Sequence, residues 1–148
     1  MLTIPELLAT IPHERKRTGI ILARSAFEKV VVEAHRCGFK VIDCASWYQQ
    51  TLLFTDDQLL QKLLELGKAG PCLLLSLETY IAPRIGQGGE FLENFSSKLA
   101  VAEPHFAVVM LFYSTSIFKK INAQYELHPL TKNHTLNLLA GDDTHSYD

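Results

Sequence analysis

The sequence lacks several features, and each absence disfavours a class of protein. It has three cysteines and no C-x-x-C pair, which disfavours a disulfide-stapled domain and a cysteine zinc site. Its 14 basic and 16 acidic residues leave no excess of positive charge, so direct binding of nucleic acid is not expected. No apolar run approaches the ~18 residues of a membrane-spanning helix, and the chain is predicted not to enter a membrane.

The composition that remains is that of an ordinary globular domain. The chain has 148 residues, of which 47% are hydrophobic and 20% are charged. That length predicts one domain over residues 1–148, with an acidic, frayed tail over 142–148. The first 17 residues show no basic region ahead of apolar residues, so no targeting signal is expected. Together with the odd number of cysteines, this predicts a cytoplasmic protein.

Apolar segments alternate with helical patterns along the whole chain. The predicted strands are residues 19–23, 39–44, 71–77 and 105–113, with a brief fifth strand over 124–127. Helices are predicted between the strands. After the third strand, a loop over 81–89 leads to the next helix, and a last helix is predicted over 131–139. This order predicts an α/β fold with three αβα layers and a mostly parallel sheet of about five strands. Ligands bind such sheets beyond the carboxyl ends of the strands.

Two sequence patterns predict where helices begin. Ser25 and Glu28 have the S-x-x-E spacing of a capping box, and Thr55 and Gln58 have the related T-x-x-Q spacing. In a capping box, each side chain bonds a free backbone N–H of the first helical turn. We therefore expect helices to start at Ser25 and just after Thr55, and Gly38 to end the first of them.

The segment after the first predicted strand has the length and setting of a phosphate-binding loop. Such a loop reads G-x-x-x-x-G-K-[ST], and in this register Lys29 falls on the lysine that reaches the phosphates. Ala23 and Glu28 replace the two glycines, and Val30 replaces the hydroxyl that binds Mg²⁺. Glycines let backbone N–H groups curl around a phosphate, whereas a glutamate adds like charge beside it. The loop is predicted to hold nucleotide poorly.

Later strand ends carry polar residues of the kinds that ATPases use. Glu78 follows the third strand and is an acid of the type that holds Mg²⁺ and polarises water, but no aspartate stands beside it. The fourth strand is followed by hydroxyl residues that include Ser114 and Thr115. Residues 124–131 then combine a predicted short strand with the pattern L-x-P-L-T.

In this order, the features resemble a minimal, degenerate P-loop ATPase core of the AAA+ type over residues 15–140, without a helical lid. The stretch LLLSLETYIAPR over residues 73–84 and the strand from Phe106 to Tyr113 also resemble small accessory P-loop proteins of BREX-type phage-exclusion islands, although the phosphate loop that those proteins retain is missing here. The resemblance implies a degenerate nucleotide site, whose residues are Ser25, Lys29, Glu78, Ser114 and Thr115. It also implies that Ser114 and Thr115 stand where a polar residue senses the terminal phosphate in AAA+ proteins. If the chain were an ATPase, Glu78 and Ser114 would be its catalytic residues.

Three functional hypotheses follow. The first is a non-catalytic P-loop-like module that needs no cofactor and assembles with a protein partner or with copies of itself, as an accessory factor in phage defence. The second is an unorthodox nucleotide-binding protein or weak ATPase that holds ATP and Mg²⁺ with Lys29 and Glu78. The third is a small Rossmann-like enzyme of a different kind. No metal-binding residues are predicted.

Two further features bear on partners. Arg84 lies in the predicted loop over 81–89, where it could act as an arginine finger on a neighbouring subunit. Aromatic residues cluster near the predicted ligand end of the sheet, and exposed together they would form a protein-binding patch. These aromatic residues are Trp47, Tyr48, Phe54, Tyr80 and Phe91.

Overall fold

The fold was obtained as a computed structural model, which describes residues 2–47, 55–85 and 90–139. Its sheet has five strands, all parallel, in the order β2-β3-β4-β1-β5. The strands are β1 (Thr18–Leu22), β2 (Lys40–Asp43), β3 (Cys72–Leu75), β4 (Val108–Phe112) and β5 (Thr135–Asn137). The predicted α/β class with a parallel sheet of five strands is confirmed.

Six α-helices flank the strands within the described residues. They are α1 (Ile4–Thr10), α2 (Phe27–Arg36), α3 (Asp56–Leu66), α4 (Glu78–Ile85), α5 (Phe91–Ala100) and α6 (Thr115–Glu126). Two short 3-10 turns follow α1 and β2, at Ile11–His13 and Cys44–Trp47. In this part of the chain no helix is both long enough and apolar enough to cross a membrane.

Different helices cover the two faces of the sheet. α1 and α2 pack on one face, over Ile21 and Val109. α3, α4, α5 and α6 pack on the other face, over Ile20 and Met110. Successive residues of a strand point to opposite faces, so the continuous apolar strands supply both cores.

The strand order separates β1 from β2 by two strands. In dinucleotide-binding sheets the first and second strands are neighbours, so this order differs from theirs. Here β4 pairs with both β1 and β3. The connection from β1 leads to α2 and the connection from β4 leads to α6, which lie on opposite faces. A crevice therefore opens between the carboxyl ends of β1 and β4.

Of the two predicted capping boxes, one is confirmed and the other is wrong. The Thr55 hydroxyl accepts from the Gln58 N–H at 3.1 Å, and the Gln58 side chain accepts from the Thr55 N–H at 2.8 Å. By contrast, α2 begins at Phe27 and its N-cap, Ala26, makes no side-chain cap bond. The chain first forms a turn, in which the Phe27 N–H donates to the Arg24 carbonyl. Ser25 lies inside that turn, too early to cap the helix.

The last third of the chain differs from the sequence prediction. Residues 124–126 belong to α6 rather than to a strand, because Tyr125 faces the core and is fully buried on the helix. The predicted last helix over 131–139 is also wrong, since Thr135–Asn137 forms β5 beside β1. Long-range pairing with β1 decides this conformation, and local sequence does not report it.

The predicted loop over 81–89 is partly helical. α4 continues to Ile85 and contains Pro83, while residues 86–89 lie outside the described part of the chain. Tyr80 and Ile81 of this helix are buried, and their burial holds α4 against the sheet. The predicted frayed tail at 142–148 also lies outside the described residues.

Candidate functional site

The carboxyl ends of β1, β3 and β4 lie side by side, because β4 pairs with both of the other strands. The crevice between β1 and β4 is the place where open α/β sheets bind ligands. Residues from all three strand ends reach it. They make contacts with one another that determine what the crevice can bind.

Glu78 reaches the crevice from the end of β3. Ser76 turns the chain out of the strand with a φ of 68°, a left-handed conformation that is uncommon for a residue with a side chain. Glu78 then becomes the first residue of α4 and is half-buried. Its Oε2 accepts hydrogen bonds from the backbone N–H groups of Tyr113 and Ser114, the latter at 2.8 Å.

These two N–H groups lie just before α6, where a helix dipole attracts negative charge. An anion bound at a parallel sheet commonly takes such N–H groups at the start of a helix. The carboxylate of Glu78 already accepts from both groups. The chain therefore satisfies them with its own negative charge, and a phosphate could bind there only by displacing it.

Arg24 crosses the crevice from the end of β1. Its Nε donates to the carbonyl oxygen of Tyr113 at 3.2 Å, and its Nη2 donates to the Thr115 hydroxyl at 3.2 Å. The guanidinium also lies 5.4 Å from the centre of the Tyr113 ring. Arg24 and Glu78 thus bind the same short segment after β4, one through its carbonyl and the other through its N–H groups.

The hydroxyl residues after β4 have structural partners. The Ser114 hydroxyl caps α6 by accepting from the Ile117 N–H at 3.3 Å. The Thr115 hydroxyl accepts from Arg24 and is largely buried. These contacts occupy the two residues that the sequence assigned to a phosphate sensor.

The loop between β1 and α2 does not have the shape of a phosphate-binding loop. In such a loop, alternating right-handed and left-handed residues commonly make successive N–H groups converge. Among the described residues, only Ser76 and Gly38 have positive φ, and neither lies in this loop. Val30 is fully buried in the core and offers no oxygen to a metal ion. In this loop, neither the left-handed residues nor the metal-binding hydroxyl of a phosphate-binding loop is present.

Arg84 is engaged within its own chain. Its Nε lies 3.1 Å from Asp56 Oδ1, and its Nη1 donates to the Tyr80 carbonyl at 2.8 Å. Its side chain is only 12% exposed and stacks near the Phe91 ring. The predicted arginine finger stays a prediction, and a neighbouring subunit could use it only after these contacts break.

The aromatic residues near this end divide into two groups. Tyr80 and Phe91 are buried in the core, so these two do not form an exposed patch. Tyr48 and Phe54, and the side chain of Trp47, lie outside the described residues. The exposed aromatic ring at the crevice is instead that of Tyr113, which is 61% exposed.

The cysteines offer no reactive thiol at this site. Burial raises the pKa of the Cys44 and Cys72 thiols to about 12, which keeps both protonated and weakly nucleophilic. Cys37 is exposed on the other face of the sheet, at the end of α2. Over residues 2–47, 55–85 and 90–139, no three His, Cys, Asp or Glu side chains are grouped so as to hold a metal ion.

The structure brings together part of the predicted nucleotide site. Glu78, Ser114 and Thr115 meet in the crevice, whereas the exposed Ser25 and Lys29 make no hydrogen bond or ion pair with them in the part of the chain that the structure describes. The sequence analysis missed Arg24, although its place directly after the first strand could have indicated it.

The chain matches no protein-family model, and comparisons with curated proteins and with solved structures find no significant similarity.

Proposed function

We propose that this protein is a non-catalytic P-loop-like module that acts by assembling with other protein chains. One observation carries the proposal: the Glu78 carboxylate accepts hydrogen bonds from the N–H groups of Tyr113 and Ser114, to which a phosphate would otherwise bind. A phosphate brought to ~4 Å from that carboxylate would meet a repulsion of about 4 kcal/mol per unit charge at an effective dielectric near 20. Nucleotide binding is therefore opposed by the folded chain itself.

The order of the strands supports the P-loop-like part of the proposal. Because β4 lies between β1 and β3, the counterparts of the phosphate loop, the sensor residue and the acidic residue are neighbours in space. A nucleotide site of the AAA+ kind requires this adjacency. Glu78 and Ser114 are joined by a hydrogen bond although 36 residues separate them in sequence.

Three further observations, at the loop between β1 and α2, support the proposal that the chain does not bind nucleotide. The loop from Ala23 to Ala26 has no left-handed residue, Val30 is buried, and Lys29 is exposed in the first turn of α2. The first two observations remove two requirements of phosphate binding, namely converging N–H groups and a metal-binding hydroxyl. Lys29 keeps the position of the phosphate-binding lysine, but it makes no hydrogen bond or ion pair with Glu78, Ser114 or Thr115 among the described residues.

Assembly with protein is the role that such a module retains. Large apolar side chains remain exposed on it, among them Leu127 at 77% and Leu130 at 51%, which lie three residues apart just after α6. Exposed apolar side chains are the usual material of protein interfaces when they lie together. An accessory role in phage defence follows from the resemblance to BREX-type accessory proteins and forms part of the same proposal.

Thermal unfolding in the presence of Mg-ATP and Mg-GTP tests the proposal. We expect no stabilisation by millimolar nucleotide and no phosphate release by the purified chain. A nucleotide at ~100 times its dissociation constant would stabilise the fold by about 2.7 kcal/mol. Lys29→Ala is compared with Lys132→Ala, which removes another exposed lysine. Stabilisation or turnover that is lost in Lys29→Ala alone would establish the nucleotide-binding hypothesis instead.

A further inference from the structure

A groove lies between the second halves of α3 and α5, away from the crevice. It has a volume of about 500 Å³, and its apolar lining includes Leu60, Leu64, Val101 and Pro104. α3 ends beside the amino ends of the strands, where the Gly67 carbonyl accepts from the Phe106 N–H just before β4. The groove therefore lies at the edge of the sheet opposite to Glu78.

Apolar side chains project beside this apolar groove. Val101 is 44% exposed and Phe106 is 38% exposed, and the Phe106 ring packs edge-on against His105 at the groove wall. A projection and a hollow that adjoin on one surface can complement the same surface of a second copy across a two-fold axis. Most soluble oligomers are built from such isologous interfaces.

The charges on the rim have the same self-complementary arrangement. Lys98 already pairs with Asp57, and Glu103 pairs with Lys16. Glu65 and Lys68 are exposed, and within the described part of the chain their side chains form no ion pair. Glu65 lies in the last turn of α3, and Lys68 lies in the turn that follows it, where the Lys68 N–H donates to the Glu65 carbonyl at 3.1 Å. Two copies related by a two-fold axis beside this segment would bring each glutamate against the lysine of the other copy.

We propose that a second copy of this chain occupies the groove, in a two-fold symmetric dimer. Val101 and Phe106 supply the apolar contact, and Glu65 faces Lys68 of the second copy in two equivalent pairs. This inference rests on the proposed function and deepens it, because it names the surface and one partner of the assembly. Like charges brought opposite each other at such an interface oppose binding, so the pairs also specify the register.

Sedimentation velocity of the full chain over a range of concentrations tests the apolar contact. We expect the chain to be mainly dimeric at about 100 μM, which corresponds to a dissociation constant below about 100 μM. Val101→Asp should give a monomer. The matched control is Val32→Asp, which places the same charge at a 53% exposed valine of α2, on the other face of the sheet, and should leave the dimer intact. Circular dichroism checks that both variants remain folded.

Charge exchange tests the register. Glu65→Lys and Lys68→Glu should each weaken dimerisation about tenfold or more, because each creates two like-charge pairs. An equimolar mixture of these two variants should form a heterodimer tighter than either homodimer. The double variant, Glu65→Lys with Lys68→Glu, should dimerise like the original chain.

A monomeric original chain, or equal effects of Val101→Asp and Val32→Asp, would overturn this inference. A mixture of the two charge variants no tighter than its components would overturn the register and with it the proposed interface. Neither result bears on nucleotide binding, so the non-catalytic proposal would stand. Conversely, nucleotide-dependent stabilisation would overturn the non-catalytic proposal and leave the dimer in place.

Discussion

The two edges of the sheet use polar side chains in opposite ways. At the amino ends, the Thr18 hydroxyl donates to the Leu99 carbonyl at 2.7 Å and lies 2.7 Å from the Tyr125 hydroxyl. All of these groups are buried. At the carboxyl ends, Glu78 and Arg24 are charged, half-buried and bound to backbone groups that face the crevice.

The difference shows which polar side chains only fix the packing and which could exchange their partners for a ligand. A buried hydroxyl pair has no alternative partners, because water does not reach it, so it only fixes the packing of α6 on β1. Charged groups beside water can exchange their partners for a ligand, and such edges are where α/β proteins bind one. Here Glu78 and Arg24 are both bonded to the segment after β4, so an anion would have to displace Glu78 to reach the N–H groups of that segment.

The largest expected effect is at the buried edge. Tyr125→Ala should lower the free energy of unfolding by about 4 kcal/mol, because it empties a fully buried aromatic site. Tyr125→Phe removes only the hydroxyl bond to Thr18 and should cost about 1 kcal/mol. Urea denaturation measures both. A loss under ~2 kcal/mol for Tyr125→Ala would show that α6 repacks and that this edge is less rigid than the contacts indicate.

The next effect is at the crevice. Glu78→Ala should lower the free energy of unfolding by about 2 kcal/mol, because two N–H groups before α6 lose a charged acceptor. Glu78→Gln keeps an oxygen that can accept and should cost about 1 kcal/mol. Urea denaturation and a phosphate-release assay are run on both variants, and neither should hydrolyse ATP. An alanine variant more stable than the original would mean that the carboxylate is strained in this position.

A smaller effect is the pH dependence of the free energy of unfolding, which we expect from His134 beside the buried end of β1. His134 is 2% exposed, and its Nδ1 bonds the Thr18 carbonyl at 3.1 Å. Burial lowers the pKa of His134, so the folded state binds this proton less readily than the unfolded state does. Stability should therefore fall as the pH drops below about 6.5 towards the lowered pKa. In His134→Asn this part of the decline should disappear from urea midpoints measured between pH 5 and 8.

The smallest effect is expected at the first loop. Lys29→Ala should change the free energy of unfolding by less than ~0.5 kcal/mol, because the side chain is exposed. Glu28→Gly should cost about 1 kcal/mol from the backbone freedom that glycine adds in a helix. No capping loss is added, since the cap predicted for Glu28 does not form. A cost of several kcal/mol for Lys29→Ala in urea denaturation would mean that its side chain has a partner.

Much of the fold could be predicted because the relevant signals are local. The apolar run in β4 and the capping box at Thr55 each lie within a few residues, and both elements form where expected. Gly38 ends α2 with a φ of 84°, a conformation that glycine adopts without steric cost. The crevice was also predictable in outline, because ligands bind parallel sheets at the carboxyl ends of the strands.

The details of the crevice were not predictable from such signals. Ser25 and Glu28 have the spacing of a cap, but the turn at Arg24 delays the helix and separates them from that role. Glu78 has the position of a metal-binding acid, and the structure assigns it to backbone N–H groups beyond the next strand. Sequence spacing gave the residue types at the site, and it did not give their partners.

The sequence by itself determined the alternation of buried strands and amphipathic helices, and hence a parallel sheet covered on both faces. Apolar periodicity and capping act within one turn or one strand, so a chain carries them whatever surrounds it. Only the tertiary structure decided the strand order, the extension of α6 to Glu126, and the pairing of Thr135–Asn137 with β1. These outcomes depend on contacts between residues far apart in sequence, such as Thr18 with Tyr125 and Glu78 with Ser114. Such contacts stabilise the chain only once the sheet has assembled and has brought these residues together.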